Sequence, residues 1–138
     1  VINMLKVYVD AASKPQTPYG GIGIVLSEKE FYQQIAIPIQ GDFDNHELEF
    51  QAVLYALEEC CKHHFQDKFI NIYSDSKIVV QTLEKNYTRN EKFSKYLTLI
   101  NEKLTTFQFV FFHWISDSQN KGADNLARQG LQKALKNR

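Results

Sequence analysis

Three apolar segments of strand length follow one another at the start of the chain, and this order limits the folds available to it. Residues 4–9, 19–26 and 31–39 are rich in β-branched and aromatic side chains, and short polar or proline-containing loops separate them. Such a succession predicts an antiparallel meander. Pro38 near the end of the third segment indicates an edge or a terminus of the sheet.

The rest of the chain alternates between helical and strand patterns. The predicted elements are a helix from Asp44 or Asn45 to about residue 64, a strand at 69–74, two helices, a strand at 107–114 and a last helix at about 120–134. The first of the two middle helices is expected to turn inward Ile78, Val79, Thr82 and Leu83. The order βββαβααβα predicts an α/β fold with a mixed sheet flanked by helices.

Size and composition suggest one domain over residues 1–138. No apolar stretch reaches the roughly 18 residues of a membrane helix, and the start lacks a signal-peptide layout. The neighbours Cys60 and Cys61 suggest reduced thiols rather than a disulfide framework. We therefore expect a cytoplasmic protein without membrane association. Sixteen basic and sixteen acidic residues cancel, which argues against binding nucleic acid by bulk charge but not against a metal enzyme.

Two of the predicted core strands end in an aspartate. Asp10 follows Val7-Tyr8-Val9, and Asp75 follows Ile72-Tyr73-Ser74. In open α/β sheets, ligands bind beyond the carboxyl ends of the strands. If the first and fourth strands are parallel neighbours, these two carboxylates lie side by side.

Two further acids head helical faces that must be buried. Glu49 heads the stripe Ala52, Val53, Ala56, Leu57 and Cys60, and Asp124 heads the stripe Ala127, Leu131 and Leu135. We expect no lysine or arginine to neutralise either acid, so a cation must come from outside. Mg²⁺ prefers oxygen ligands, and two such ions can activate a water and stabilise a leaving oxygen. The alternative is that Asp10 and Asp75 cap helices or turns while Glu49 and Asp124 reach solvent.

Four motifs in order resemble one known family over nearly the whole chain. They are Asp-Ala-Ala-Ser-Lys at 10–14 with Gly-Gly-Ile-Gly at 20–23, Asn-His-Glu-Leu-Glu-Phe-Gln-Ala at 45–52, Tyr-Ser-Asp-Ser at 73–76 and Asn-Lys-Gly-Ala-Asp-Asn-Leu-Ala at 120–127. The set resembles the ribonuclease H type 1 family, including its reverse-transcriptase-like group of single-domain bacterial relatives.

The resemblance implies a ribonuclease H fold with strand order 3-2-1-4-5. It also implies an endonuclease that uses two Mg²⁺ ions per site, or Mn²⁺, to cut RNA paired to DNA, leaving a 3′-hydroxyl and a 5′-phosphate. Asp10 would bridge both ions, and Asp124 would help hold the ion that activates water. Glu49 and Asp75 would hold the ion beside the leaving oxygen. No small-molecule cofactor is expected, and we expect a monomer.

The resemblance also suggests substrate contacts. The backbone at Ala11, Ala12 and Ser13 and the side chain of Asn45 would lie in the minor groove, where RNA shows its 2′-hydroxyls. Asn45 could instead be a plain helix cap. The family positions of two other substrate contacts are occupied by His46 and Lys77.

Three departures from the family pattern qualify this interpretation. The loop at 115–119 lacks the histidine that many members carry, residues 85–95 lack a basic insertion, and Asp44 stands beside an expected phosphate pocket. Rival functions are the same chemistry on double-stranded or structured RNA, and a nucleic-acid-binding or partner-interaction module with little turnover. The aromatic residues at 107–114 could stack on bases, but their continuous pattern favours the core.

Overall fold

The computed structural model describes residues 4–137. Its elements are β1 (Met4–Ser13), β2 (Tyr19–Glu28), β3 (Phe31–Gln40), α1 (Asn45–Lys62), β4 (Phe69–Ser74), α2 (Lys77–Lys85), α3 (Glu91–Leu104), β5 (Phe109–Trp114) and α4 (Lys121–Lys136). A short 3₁₀ turn, Asp117–Gln119, joins β5 to α4. The predicted order of strands and helices is confirmed.

The five strands form one mixed sheet in the order β3-β2-β1-β4-β5, as predicted. β1 pairs antiparallel with β2, and β2 pairs antiparallel with β3. β4 lies parallel between β1 and β5. Strand β1 is longer than predicted, because its last residues continue to pair with the glycine-rich start of β2, where Ser13 lies opposite Gly20.

The main core lies between the sheet and α1. The β1 side chains Leu5, Val7 and Val9 are buried there, together with Phe50 and the predicted apolar stripe that follows Glu49. This burial fixes the rotation of α1 about its axis, so the position of Glu49 follows from the packing of its neighbours.

Helix α4 lies on the opposite face, directly against β2. A Cβ atom at Gly23 would stand 2.0 Å from the carbonyl oxygen of Ala123, and one at Gly21 would stand 2.2 Å from that of Ala127. Only glycine permits such an approach of helix and strand backbones. The glycine-rich second strand therefore positions α4, and with it Asp124.

Two predictions about burial are wrong. Ile78 is 42% exposed, because it lies in the first turn of α2 on the side away from Val79 and Leu83, which are buried. Strand β5 begins at Phe109 rather than 107, and the aromatic run is not all core: Phe109 and Phe111 are 41% and 45% exposed. β5 is a terminal strand, and α4 packs on β1, β2 and β3 instead of beside it.

Within residues 4–137, no helix is both long enough and apolar enough to cross a membrane.

Candidate active site

Asp10 and Asp75 lie just beyond the last residues that pair β1 with its parallel neighbour β4, although β1 itself continues to Ser13 beside β2. Tyr8 and Tyr73 are in register, and each aspartate follows two residues later. Burial is the main cause that raises the pKa of Asp10 to about 8, and the negative charge of Asp75 is the next. The charges of Asp124 and Glu49 raise this pKa further, whereas a hydrogen bond from the Ala11 backbone lowers it. The structure thus brings all four predicted acids close enough to act on the charge of Asp10.

Glu49 is placed by a well-defined start of α1. The Asp44 carboxylate accepts a hydrogen bond from the Glu47 backbone N–H at 2.8 Å, and the Glu47 carboxylate accepts one from the Asp44 N–H at 3.1 Å. Asp44 is therefore the cap, and Asn45 is the first helical residue. The Glu49 side chain is 24% exposed, and its Oε2 lies 3.2 Å from His46 Nδ1.

Asp124 is placed by Asn120, which anchors the start of α4. The Asn120 side-chain amide is buried and donates to the Val9 carbonyl at 2.9 Å, one residue before Asp10. The Asn120 backbone carbonyl accepts from the Asp124 N–H at 3.0 Å. One turn later, Arg128 Nη2 lies 3.1 Å from Asp124 Oδ2, so the prediction that no cation neutralises this acid is wrong.

Asp75 has a fifth acid beside it, which the sequence did not single out. Burial is the main cause that raises the pKa of Asp75. A hydrogen bond from the Asn120 amide lowers this pKa, and the negative charges of Asp117 and Glu49 raise it. Asp117 lies in the turn after β5, and β5 is the parallel neighbour of β4. A loop leaving that strand reaches the same sheet end, which is the signal that could have identified it.

The predicted substrate-binding residues fall into two groups. A depression of about 240 Å³ is lined by Ala11, Ala12, Ser13, Asn45, Leu48 and Glu49. Within it the Ser13 hydroxyl donates to the Asn45 side-chain carbonyl. Lys77 lies elsewhere, beside Asp75, with its ammonium group 4.8 Å from the centre of the Trp114 ring. The Trp114 indole in turn donates to the Asp75 carbonyl at 3.0 Å.

The chemistry of the acids suits a hard divalent cation, although their side chains are not gathered around one point. Among the described residues, no three His, Cys, Asp or Glu side chains are arranged to hold a metal ion. Arg128 and His46 engage two of the acids, and Asp10 with its raised pKa retains a proton at neutral pH. An all-oxygen donor set of this kind is what Mg²⁺ and Mn²⁺ prefer.

The sheet order, the flanking helices and the acids at the strand ends define an α/β protein with a ribonuclease H-like fold. A family model described as reverse transcriptase-like matches residues 8–136. The chain belongs to this family and is a member of the ribonuclease H type 1 group.

Relatives and solved structures agree with this assignment. EbsB of Enterococcus faecalis, whose name assigns it provisionally to the hydrolases, is 42% identical over 98% of this chain and 99% of its own length. A ribonuclease H of Desulforamulus reducens is 25% identical, over 89% of this chain and 84% of its own. The crystal structure of RNase H1 from Halobacterium salinarum has a TM-score of 0.84 at 25% identity, and the similarity covers 95% of this chain and 99% of that one.

Proposed function

We propose that this protein is a Mg²⁺- or Mn²⁺-dependent endoribonuclease that hydrolyses the RNA strand of RNA/DNA hybrids and leaves a 3′-hydroxyl and a 5′-phosphate. The observation that carries the proposal is the convergence of Asp75, Asp124 and Glu49 on the partly buried Asp10; burial and these charges raise the pKa of Asp10 to about 8. A carboxylate held so close to other carboxylates is costly unless a cation joins them. Membership of the ribonuclease H group supports the choice of reaction.

The roles proposed for the four acids are those that the resemblance to the ribonuclease H family implies. Asp10, at the centre of the group, would touch both ions; Asp124 would help hold the one beside the attacking water, and Glu49 and Asp75 the one beside the leaving 3′-oxygen. Two bound divalent ions would lower the pKa of a water and neutralise charge on the scissile phosphate. Asp10 must give up its proton for this, and Asn120 holds Val9, the residue before Asp10, and contacts Asp75.

Hybrid recognition is proposed to begin in the depression beside Glu49. Its wall includes the backbone of Ala11, Ala12 and Ser13 and the side chain of Asn45, whose carbonyl is oriented by Ser13. These polar groups suit the minor groove, where only the RNA strand offers 2′-hydroxyls. A solved relative with the same fold, LC11-RNase H1, at 23% identity and a TM-score of 0.77, is in complex with an RNA/DNA hybrid.

His46 and Lys77 have different places in this scheme. His46 contacts Glu49, so it would orient that carboxylate as well as face the groove. Lys77 lies over Trp114 on the Asp75 side, where its charge would meet a backbone phosphate.

The test is cleavage of labelled substrates by the purified protein. RNA/DNA hybrid, double-stranded RNA and single-stranded RNA are incubated with Mg²⁺ or Mn²⁺, beside the variant Asp10→Asn and the control Asp67→Asn, an exposed aspartate at the other end of β4. We expect hybrid-only cleavage that Asp67→Asn retains and Asp10→Asn loses. Cleavage of double-stranded RNA at the same rate would refute the hybrid specificity. No cleavage of any substrate would refute the enzyme.

A further inference from the structure

The face of the sheet that carries α4 is open over β4 and β5. Phe109 and Phe111 are 41% and 45% exposed there, and Met4 is 54% exposed in the row that continues through Phe69 to Phe109. Monomeric proteins seldom leave such a contiguous apolar patch uncovered without a function. We call these four side chains the aromatic patch.

The rings of the aromatic patch stand upright on the sheet. The Phe69 and Phe109 ring centroids are 4.3 Å apart with planes at 11°, and Phe69 and Phe111 are 6.0 Å apart at 16°. Rings stacked along the sheet direct their edges outward, whereas a base stacks on an exposed ring face. Lys6 is the one lysine or arginine in the three rows that cross β1, β4 and β5 here. Both features favour an apolar protein surface over nucleic acid.

The edge beside the patch lacks the usual protection against another strand. β5 reads Phe-Val-Phe-Phe-His-Trp, with no proline, lysine or acid in it. The other terminal strand, β3, contains Pro38 and three glutamines, and Lys133 from α4 donates to its Ala36 carbonyl at 3.3 Å. Natural sheets block their edges by such devices, and an apolar edge without them accepts another strand.

We propose that β5 pairs antiparallel with β5 of a second copy of this chain, giving a two-fold dimer with a continuous ten-stranded sheet. Two-fold symmetry sets Phe109 and Phe111 of each copy against the same residues of the other. This occupant pairs the backbone of the edge and sets Phe109 and Phe111 of the two copies side by side.

The area of the patch favours a strand as the occupant. Interfaces of standard size bury about 800 Å² on each partner. At roughly 200 Å² per fully exposed large side chain, Phe109 and Phe111, which lie at the edge, supply about 170 Å². The remainder has to come from the main chain of β5 and its flanks, and only another strand covers that edge with hydrogen bonds.

The experiment is sedimentation equilibrium of the full chain over a range of concentrations up to about 1 mM. We expect a monomer–dimer equilibrium whose dissociation constant rises about tenfold or more in Phe111→Lys. The matched control is Tyr32→Lys, which changes a 63% exposed aromatic side chain on the other edge strand and should shift the constant less than about twofold. Thermal unfolding checks that both variants are folded.

Hydrogen exchange of the unmodified chain gives a second measurement, independent of any variant. Backbone amides of β5 should gain protection with rising concentration, and those of β3 should not. A monomer at every concentration, or a dimer that Phe111→Lys leaves intact, would overturn the proposal. So would weaker binding of a single-stranded RNA oligonucleotide by Phe111→Lys in a chain that stays monomeric, because that outcome makes the patch a nucleic-acid surface.

Discussion

The two ends of the sheet differ in whether a buried acid has a basic partner. At the amino ends of β1 and β4, Lys68 Nζ lies 3.0 Å and 3.2 Å from the two carboxylate oxygens of Glu28. These side chains are only 15% and 19% exposed, and the Phe65 ring centre lies 4.9 Å from the same ammonium group. The charge of Lys68 neutralises that of Glu28, so neither of these two charges is left without a partner.

The carboxyl ends of the same strands hold an excess of acid. Asp10 and Asp75 both have raised pKa values, burial being the first cause for each, and the structure places no lysine or arginine in contact with either carboxylate within residues 4–137. The basic side chains that contact the other two acids are exposed: Arg128 is 71% and His46 46% accessible.

The fold can therefore bury a lysine beside an acid, yet no lysine contacts the carboxylate of Asp10 or Asp75 within residues 4–137. Because an unpaired buried carboxylate costs free energy, such a deficit is a sign of function rather than of stability. One end of the sheet therefore stabilises the fold, whereas the other end is proposed to bind metal.

The largest expected effect comes from removing the central acid. Asp10→Asn should reduce hybrid cleavage by roughly a thousandfold or more, because that carboxylate is proposed to touch both ions. Steady-state rates in Mg²⁺ measure it. If Asp10→Asn kept more than about a tenth of the activity, the proposed role of the strand-end acids would be refuted.

The next largest effect is a pH dependence of stability. The Asp10 pKa is about 8 in the folded chain and near 3.8 when unfolded, so the folded state keeps a proton that the unfolded state loses. In the absence of metal, the contribution of Asp10 to stability should be fully present below about pH 4 and should be lost as pH rises to about 8, by up to about 1.4 kcal/mol per pH unit; it is measured as the difference between the unmodified chain and Asp10→Asn. Urea unfolding at several pH values tests this. A flat profile, or one unchanged in Asp10→Asn, would contradict the burial of this acid.

At the opposite end of the sheet, a substitution should lower stability and leave activity unchanged. Lys68→Met leaves Glu28 largely buried without its cation and should cost about 3 kcal/mol of unfolding free energy. Cleavage at temperatures where the variant remains folded should be unchanged. A large loss of the rate constant at saturating substrate would mean that the two ends are not separate.

The smallest expected effect concerns Arg128. Removing its charge from a position 3.1 Å from Asp124 should strengthen Mn²⁺ binding about threefold in Arg128→Ala, because the ion no longer competes with a guanidinium group. Lys133→Ala, on the same helix, is the control. Weaker binding in Arg128→Ala would show that the arginine orients Asp124 instead of competing for it.

Much of the fold and the site could be predicted from sequence periodicity. The stripe behind Glu49 had to face the core, and Asp10 and Asp75 had to come together once β1 and β4 were parallel neighbours. Both are local patterns whose consequence in three dimensions is fixed by helix and sheet geometry.

What could not be predicted depends on which face each helix covers. Phe109 and Phe111 look like core in sequence, and their exposure follows from α4 lying on β2 through Gly21 and Gly23. The contact of Arg128 with Asp124 was available from their spacing of one helical turn. The position of Asp117 beside Asp75 required the path of the loop after β5.

The most direct test of the account is calorimetry of Mn²⁺ binding at pH 7 in buffers of different ionisation enthalpy. With the Asp10 pKa raised to about 8 by burial and by Asp75, binding at the proposed site must displace that proton. We predict release of close to one proton for each chain that binds Mn²⁺, and loss of both binding and release in Asp10→Asn. Absence of Mn²⁺ binding, or binding with no proton released and no change in Asp10→Asn, would contradict a metal site at the strand ends.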